Sequence, residues 1–261
     1  MSYVLYSVIT IIACTIGAIS GIGGGIIIKP SFDAFTTLSV PVITFLSCCA
    51  SFTLATFSMI RCDKKILRKN LKVNIFLAIG AVIGGIIGKG IFEILISTLK
   101  NDKMVGLIAA ICIFIITLII FINRIFFKDC KTYNFKNPAF IILIGCTLGI
   151  VSSFLGIGGG PLNIILVYLV FSASPKTSAI MSLFVIMFSQ GATLISTAIT
   201  GNIPTFNIMI LLVIIVSAIV GAIIGKKIFT KMTEQTNAVF FKYVLLLIMV
   251  INIYNIVKFS L

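Results

Sequence analysis

Gly21-Ile22-Gly23-Gly24-Gly25 interrupts an apolar run that extends from 3 to 28, and the same five residues return as Gly156-Ile157-Gly158-Gly159-Gly160 inside the apolar run 138 to 171. Working outward, each run follows a Thr-x-Gly (Thr15 to Gly17, Thr147 to Gly149) and precedes a short Pro-containing link, Ser39-Val40-Pro41 and Ala173-Ser174-Pro175. Further on, AVIGGIIGKGIF from Ala81 to Phe92 is matched by AIVGAIIGKKIF from Ala218 to Phe229. The offsets are 135 for the glycines (156 minus 21), 134 for the prolines (175 minus 41) and 137 for the third motif (218 minus 81), so order and spacing survive across the chain. A repeat of this kind is read before any single motif. It divides one membrane domain, 1–261, into a first repeat 1–123 and a second repeat 138–261.

Why the bilayer is the solvent follows from composition. Of 261 residues, 60% are hydrophobic and 10% charged, too few polar groups to cover a soluble globule. Apolar segments fall at about 3–28, 40–60, 73–98, 104–122, 138–171, 177–199, 207–225 and 239–257, each near or above the roughly 20 residues needed to cross hydrocarbon. They are too long and too uniform for barrel strands, so the expected fold is an all-α polytopic membrane protein with about eight membrane segments. Met1-Ser2-Tyr3 leads straight into the first segment without a basic leader, so no removed signal peptide is expected. His is absent, which excludes His-based catalysis and His metal ligation, and the Cys residues form no CxxC pair, so no metal site and no cofactor are expected.

The net charge of +14 has a local origin. Half of the 20 basic residues sit in two loops, Arg61, Lys64, Lys65, Arg68, Lys69 and Lys72, then Arg124, Lys128, Lys131 and Lys136. Short basic loops beside spanning helices are retained in the cytoplasm against anionic headgroups, so 61–72 and 124–136 are placed inside and no nucleic-acid partner is expected. The second-half counterpart of loop 61–72 is the uncharged Thr200 to Phe206, whereas Lys226 to Glu234 carries Lys226, Lys227 and Lys231. The bias alternates, as it does in inverted repeats. Inversion requires the segment 138–171 to enter and leave on one side, and Leu162 to Ser172 covers only about 17 Å as helix. Each half should therefore contain a glycine-broken hairpin that re-enters, plus about three spanning helices; a parallel pair of halves is the alternative.

Contiguous glycines expose amides that hydrocarbon cannot satisfy, so they belong inside protein or at a water-filled cavity. The helix that follows offers free N–H groups and the positive end of its dipole, which suits a small anion. The candidate substrate contacts are Gly21, Gly23, Gly24, Gly25 and Ile26 in the first half, and Gly156, Gly158, Gly159 and Gly160 in the second. Pro161 fits the first helical position. Gly80, Gly84, Gly88, Gly221 and Gly225, four residues apart, read instead as helix-packing residues. A dinucleotide or phosphate loop is a poor third reading, because Ile26 and Pro161 stand where GxGxxG needs its last glycine. Lys29, one turn beyond Gly25, is a candidate anion contact, with snorkelling or pairing to Asp33 as the other readings. Asp33 is the candidate for ion coupling, while Glu93 is expected at a helix end. Asn163 and Gln190, polar in apolar helices, are candidate substrate contacts or interhelical hydrogen-bonding residues.

The GIGGG run with Lys29-Pro30 and Ser39-Val40-Pro41, repeated as GIGGG with Ser174-Pro175, resembles the TauE/SafE sulfite-exporter family of membrane permeases over nearly the whole chain. The resemblance implies a secondary transporter in a prokaryotic plasma membrane, moving sulfite or an organosulfur anion such as a sulfonate. This sequence departs from an even duplication: Pro161 directly follows the second glycine run, and nothing there matches Pro30, so the two hairpins should differ in shape. An anion channel, a transporter of an unrelated solute and a membrane enzyme are the competing classes. The last has neither His nor a nucleophile pattern to work with. The partners expected are a small anionic solute and the bilayer, and formation of a homo-oligomer is left open by the sequence.

Overall fold

The computed structural model describes residues 3–62, 71–126 and 137–261. Most of the two basic loops thus lies outside the described residues. Those described form helices α1 (Tyr3–Ser20), α2 (Gly25–Phe35), α3 (Val40–Ile60), α4 (Leu71–Leu99), α5 (Asp102–Phe126), α6 (Pro138–Leu155), α7 (Gly160–Phe171), α8 (Pro175–Thr200), α9 (Ile208–Lys231) and α10 (Glu234–Ser260), with no strand among them. Eight are long and apolar enough to span a bilayer; α2 and α7, at 11 and 12 residues, are the short ones. At 1.5 Å per residue they reach about 16 and 18 Å, half a membrane. The protein is a multi-pass membrane protein.

The two apolar runs break where the glycines stand. Gly21 and Gly156 both take positive φ, a conformation open to glycine at little cost. After α1, the Gly21 amide donates to Gly17 O at 2.9 Å, a simple left-handed stop. After α6, the amides of Gly156 and Ile157 donate to Ser153 O and Ser152 O, both at 3.2 Å, which is the full Schellman pattern. The second turn also holds Gly158, Gly159 and Gly160 at positive φ, whereas in the first only Gly23 joins Gly21. Pro161 falls one residue into α7 rather than at its first position. The hairpins do differ in shape, and Pro161 gives the reason: its fixed ring and missing N–H oblige the preceding glycines to complete the reversal.

Lateral packing exchanges elements between the repeats. In α4, Ile75, Ile79, Ile83, Ile87 and Ile91 form an exposed stripe four residues apart, as a lipid-facing surface does. The stripe behind it, Gly80, Gly84 and Gly88, lies against the α6 backbone around Ile142, Cys146 and Ile150. The counterpart helix α9 does the same to α1, with Gly221 on Ile11 and Cys14 and Gly225 on Thr15 and Ala18. In hydrocarbon, where apolar side chains gain little by leaving lipid, such close backbone approach is what holds helices together. Two further counterpart pairs run antiparallel. Met59 and Cys62, at the end of α3, cluster with Ala179 and Ile180 at the start of α8, while Pro41 and Thr44 share a cavity with Thr193 and Thr197. Gly106, early in α5, meets Phe259 at the end of α10, and Lys242 near the start of α10 lies over the Phe121 ring.

Candidate functional site

The two glycine turns meet. A methyl group placed on Gly25 would strike the Ser51 hydroxyl and come within 2.8 Å of Ile157 O, and one placed on Gly160 would lie 2.6 Å from Ile26 Cδ1. Gly23 faces Gly158 O across 3.8 Å by the same construction. The first bonds of α2 are donated by Ile27 and Ile28 to Gly24 O, so the amides of Gly25 and Ile26 stand ahead of the helical ladder and beside the opposing turn. Every residue from 21 to 34 is buried, so protein rather than lipid encloses this backbone.

Around the meeting point lie polar atoms that lack hydrogen-bond partners within the chain. Ser51 Oγ, between Gly25 and Gly158, is one; both side-chain polar atoms of Asn163, packed on Gly159, are others. Gln190 Nε2 donates to Ser152 Oγ at 2.8 Å, while its Oε1 is unpartnered. Ser152 is 3.3 Å from Ser189 Oγ, and Ser47 Oγ donates to Gly25 O at 3.2 Å. Buried polar groups are nearly always paired, because each unpaired one costs about 1–3 kcal/mol. Several of them stand together at the break in the two helices.

A cavity of about 410 Å³ leads toward this point. Its mouth is formed by Asn202, Ile203 and Pro204, its wall by Lys89, Phe92 and Glu93 of α4, and its deeper part by Thr44, Cys48, Ser153 and Thr193. Thr44 packs on Gly156, which makes the shoulder of the second glycine turn the floor. Lys29 approaches from behind that floor: its ammonium is fully buried, donates to Thr44 Oγ1 at 3.1 Å and lies 5.7 Å from the Phe92 ring centroid. The cation is therefore one side-chain layer from the cavity, neither snorkelling to a surface nor ion-paired with Asp33.

The sequence candidates are thus only partly assembled. Gly23, Gly25, Ile26, Gly158, Gly159, Gly160 and Asn163 gather at the meeting of the turns, with Gln190 linked through Ser152. Gly21 packs instead on Ala179 and Gly24 on Cys14. Asp33 lies eight residues beyond Gly25, about 12 Å along α2, where Lys258 Nζ donates to its backbone oxygen at 2.6 Å and to Ala34 O at 3.1 Å. Its Oδ1 is unpartnered. Glu93 is not at a helix end, since α4 continues to Leu99; it turns into the cavity and pairs with Lys89 at 2.8 Å. Thr44, Ser47 and Ser51 were not singled out from sequence. Their spacing of three and four residues, a hydroxyl stripe on one face of α3, was the available signal.

Three comparisons with known proteins bear on this arrangement. The family model described as sulfite exporter TauE/SafE matches residues 6–254. A curated relative, "Probable membrane transporter protein YunE" of Bacillus subtilis (strain 168), is 26% identical over 270 residues, covering 95% of this chain and 96% of the relative. No solved structure shows a significant match. A bundle of eight membrane-length helices enclosing a cavity, matched from α1 to α10 by that family, leaves one assignment: the chain belongs to the sulfite exporter TauE/SafE family of membrane transporters.

Proposed function

We propose that this protein is a secondary transporter of a small anion, with sulfite or an organosulfur anion such as a sulfonate as its passenger. The anion enters the cavity and is bound where the glycine turns meet, with the amides of Gly25 and Ile26 and the side chains of Ser51, Asn163 and Gln190 around it. The observation that carries the reading is Lys29. A fully buried ammonium whose hydrogen bond goes to one neutral hydroxyl, and which makes no ion pair with Asp33 one turn away, sits beside a solvent-sized cavity with less compensating charge than buried cations require. An anion in the cavity would supply it. The descriptive names of the matched family and of the relative point the same way.

The repeats 1–123 and 138–261 are inverted in this reading, supported by the antiparallel courses of α3 against α8 and of α5 against α10. With the basic loop 61–72 in the cytoplasm, the cavity at the opposite end of α3 opens outward. Ile203, half exposed at its mouth, reports on this. In cells carrying Ile203→Cys, a membrane-impermeant maleimide should label the introduced thiol from outside, above the background of the native protein; labelling only after permeabilisation would overturn this orientation.

Function itself is tested with the purified protein in liposomes. Labelled sulfite or a sulfonate should accumulate saturably, and preloading the lumen with unlabelled anion should accelerate entry of label. A channel reusing the same half-helices as a filter would show flux without such counterflow. Absence of saturable movement of any of these anions would reject the proposal.

A further inference from the structure

The motif repeat places Lys226 where Lys89 stands in the first half, and the structure puts each at an opening on a different side of the glycine turns. Lys89 lines the 410 Å³ cavity together with Phe92. Lys226 lines a much smaller space, about 10 Å³, together with Phe229, the counterpart of Phe92. That space lies between Met59 and Cys62 at the end of α3 and Ala179 at the start of α8, beside Gly21 of the first turn. One opening is wide and the other nearly closed.

The two lysines differ in their partners. Lys89, only 7% exposed, is ion-paired with Glu93 at 2.8 Å and donates to Thr200 Oγ1 at 3.0 Å; Asn202 Nδ2 in turn donates to Glu93 Oε1 at 3.0 Å. Glu93 has no acidic counterpart, because Thr230 stands at its place in the repeat and its hydroxyl donates to the backbone oxygens of Lys226 and Lys227. The Lys226 ammonium lies over the Phe229 ring at 5.6 Å, joined there by Lys176 at 5.4 Å. Glu234, an acid near that end, accepts from Ser174 Oγ and the Lys176 backbone amide.

We propose that Lys89 and Lys226 are equivalent docking points at which the anion enters or leaves the glycine-turn site on the two sides of the membrane, and that Glu93 is a tethered competitor for Lys89. This rests on the anion-transport reading given above. An anion arriving at the wide cavity must displace the Glu93 carboxylate from the Lys89 ammonium, whereas beside Lys226 the equivalent position is held by the neutral Thr230. The pair thereby lowers apparent affinity on the cavity side and eases release there.

The test compares labelled sulfite uptake into right-side-out and inverted membrane vesicles, which present the two openings in turn. Glu93→Gln should lower the half-saturating sulfite concentration about two- to fivefold from the cavity side, the range set by a partly exposed ion pair, and leave the other side unchanged. Lys89→Gln should raise it from the cavity side, Lys226→Gln from the other, and Lys89→Arg should retain saturation near the native value. Equal effects on both sides, or no change in Glu93→Gln, would overturn the proposal while leaving anion transport standing. Native protein that moves neither sulfite nor a sulfonate would remove both.

Discussion

Gly25→Val should abolish transport in a protein that still inserts and folds. Gly25 has ordinary helical φ, so the substitution imposes no backbone strain; its effect is confined to what the new side chain meets. That is the Ser51 hydroxyl, and Ile157 O and C at 2.8 and 2.9 Å, all belonging to the opposing turn or the wall between the turns. Carbonyl backbone cannot rotate away as a side-chain tip would, so the turns must separate. Overpacking of this kind costs about 1–3 kcal/mol, a loss a helical bundle of this size survives. Geometry at the meeting point would not survive it, since amides and hydroxyls that converge on a small anion act only within a few tenths of an ångström of their place. Labelled sulfite counterflow should fall by about 100-fold, the equivalent of roughly 2.7 kcal/mol, with thermal unfolding lowered by a few degrees. Gly25→Ala, smaller by two methyls, should show the same direction with less disturbance to folding. Normal counterflow in both would show that the meeting of the turns has no part in transport.

What the sequence could disclose depended on how local each cause was. The breaks at Gly21 and Gly156 were legible because a left-handed stop is set by a few adjacent residues, and the repeat because corresponding motifs kept their offsets. The difference between the hairpins was legible too, through Pro161 alone. That Gly25 and Ile157 touch was not, since they are 132 residues apart and their contact depends on how α2, α3 and α7 stack. Only the assumption of inverted halves suggested it. Glu93 reads as a helix-end residue because hydropathy falls toward Lys100; the helix carries on to Leu99, and the i,i+4 spacing that joins Glu93 to Lys89 turns it toward the cavity. Gly24 looked equivalent to its neighbours in sequence, but a residue's azimuth in a turn decides its partner, and Gly24 faces Cys14 of its own hairpin.

Lys29→Met should weaken anion recognition and stabilise the fold at once. The four-carbon stem of Lys29 packs in a fully buried position, and methionine reproduces most of that volume without the ammonium. Replacing a buried charge that has one neutral hydrogen-bond partner removes a desolvation penalty of several kcal/mol, which exceeds what is lost at the Thr44 hydroxyl and in the attraction to Asp33, with which it forms no ion pair. The unfolding temperature in detergent should therefore rise. Transport should move the other way: a hydrogen bond or close charge contact to an ionised partner contributes about 1.5–3 kcal/mol, so half-saturation for sulfite should rise by about 10- to 100-fold. A cation kept for the stability of the fold would give the reverse pair of results, a lower unfolding temperature with native half-saturation. Proteins tolerate an expensive buried charge where function needs it, and in the proposed mechanism an anion in the space beyond Thr44 and Phe92 is what would offset the cost of Lys29.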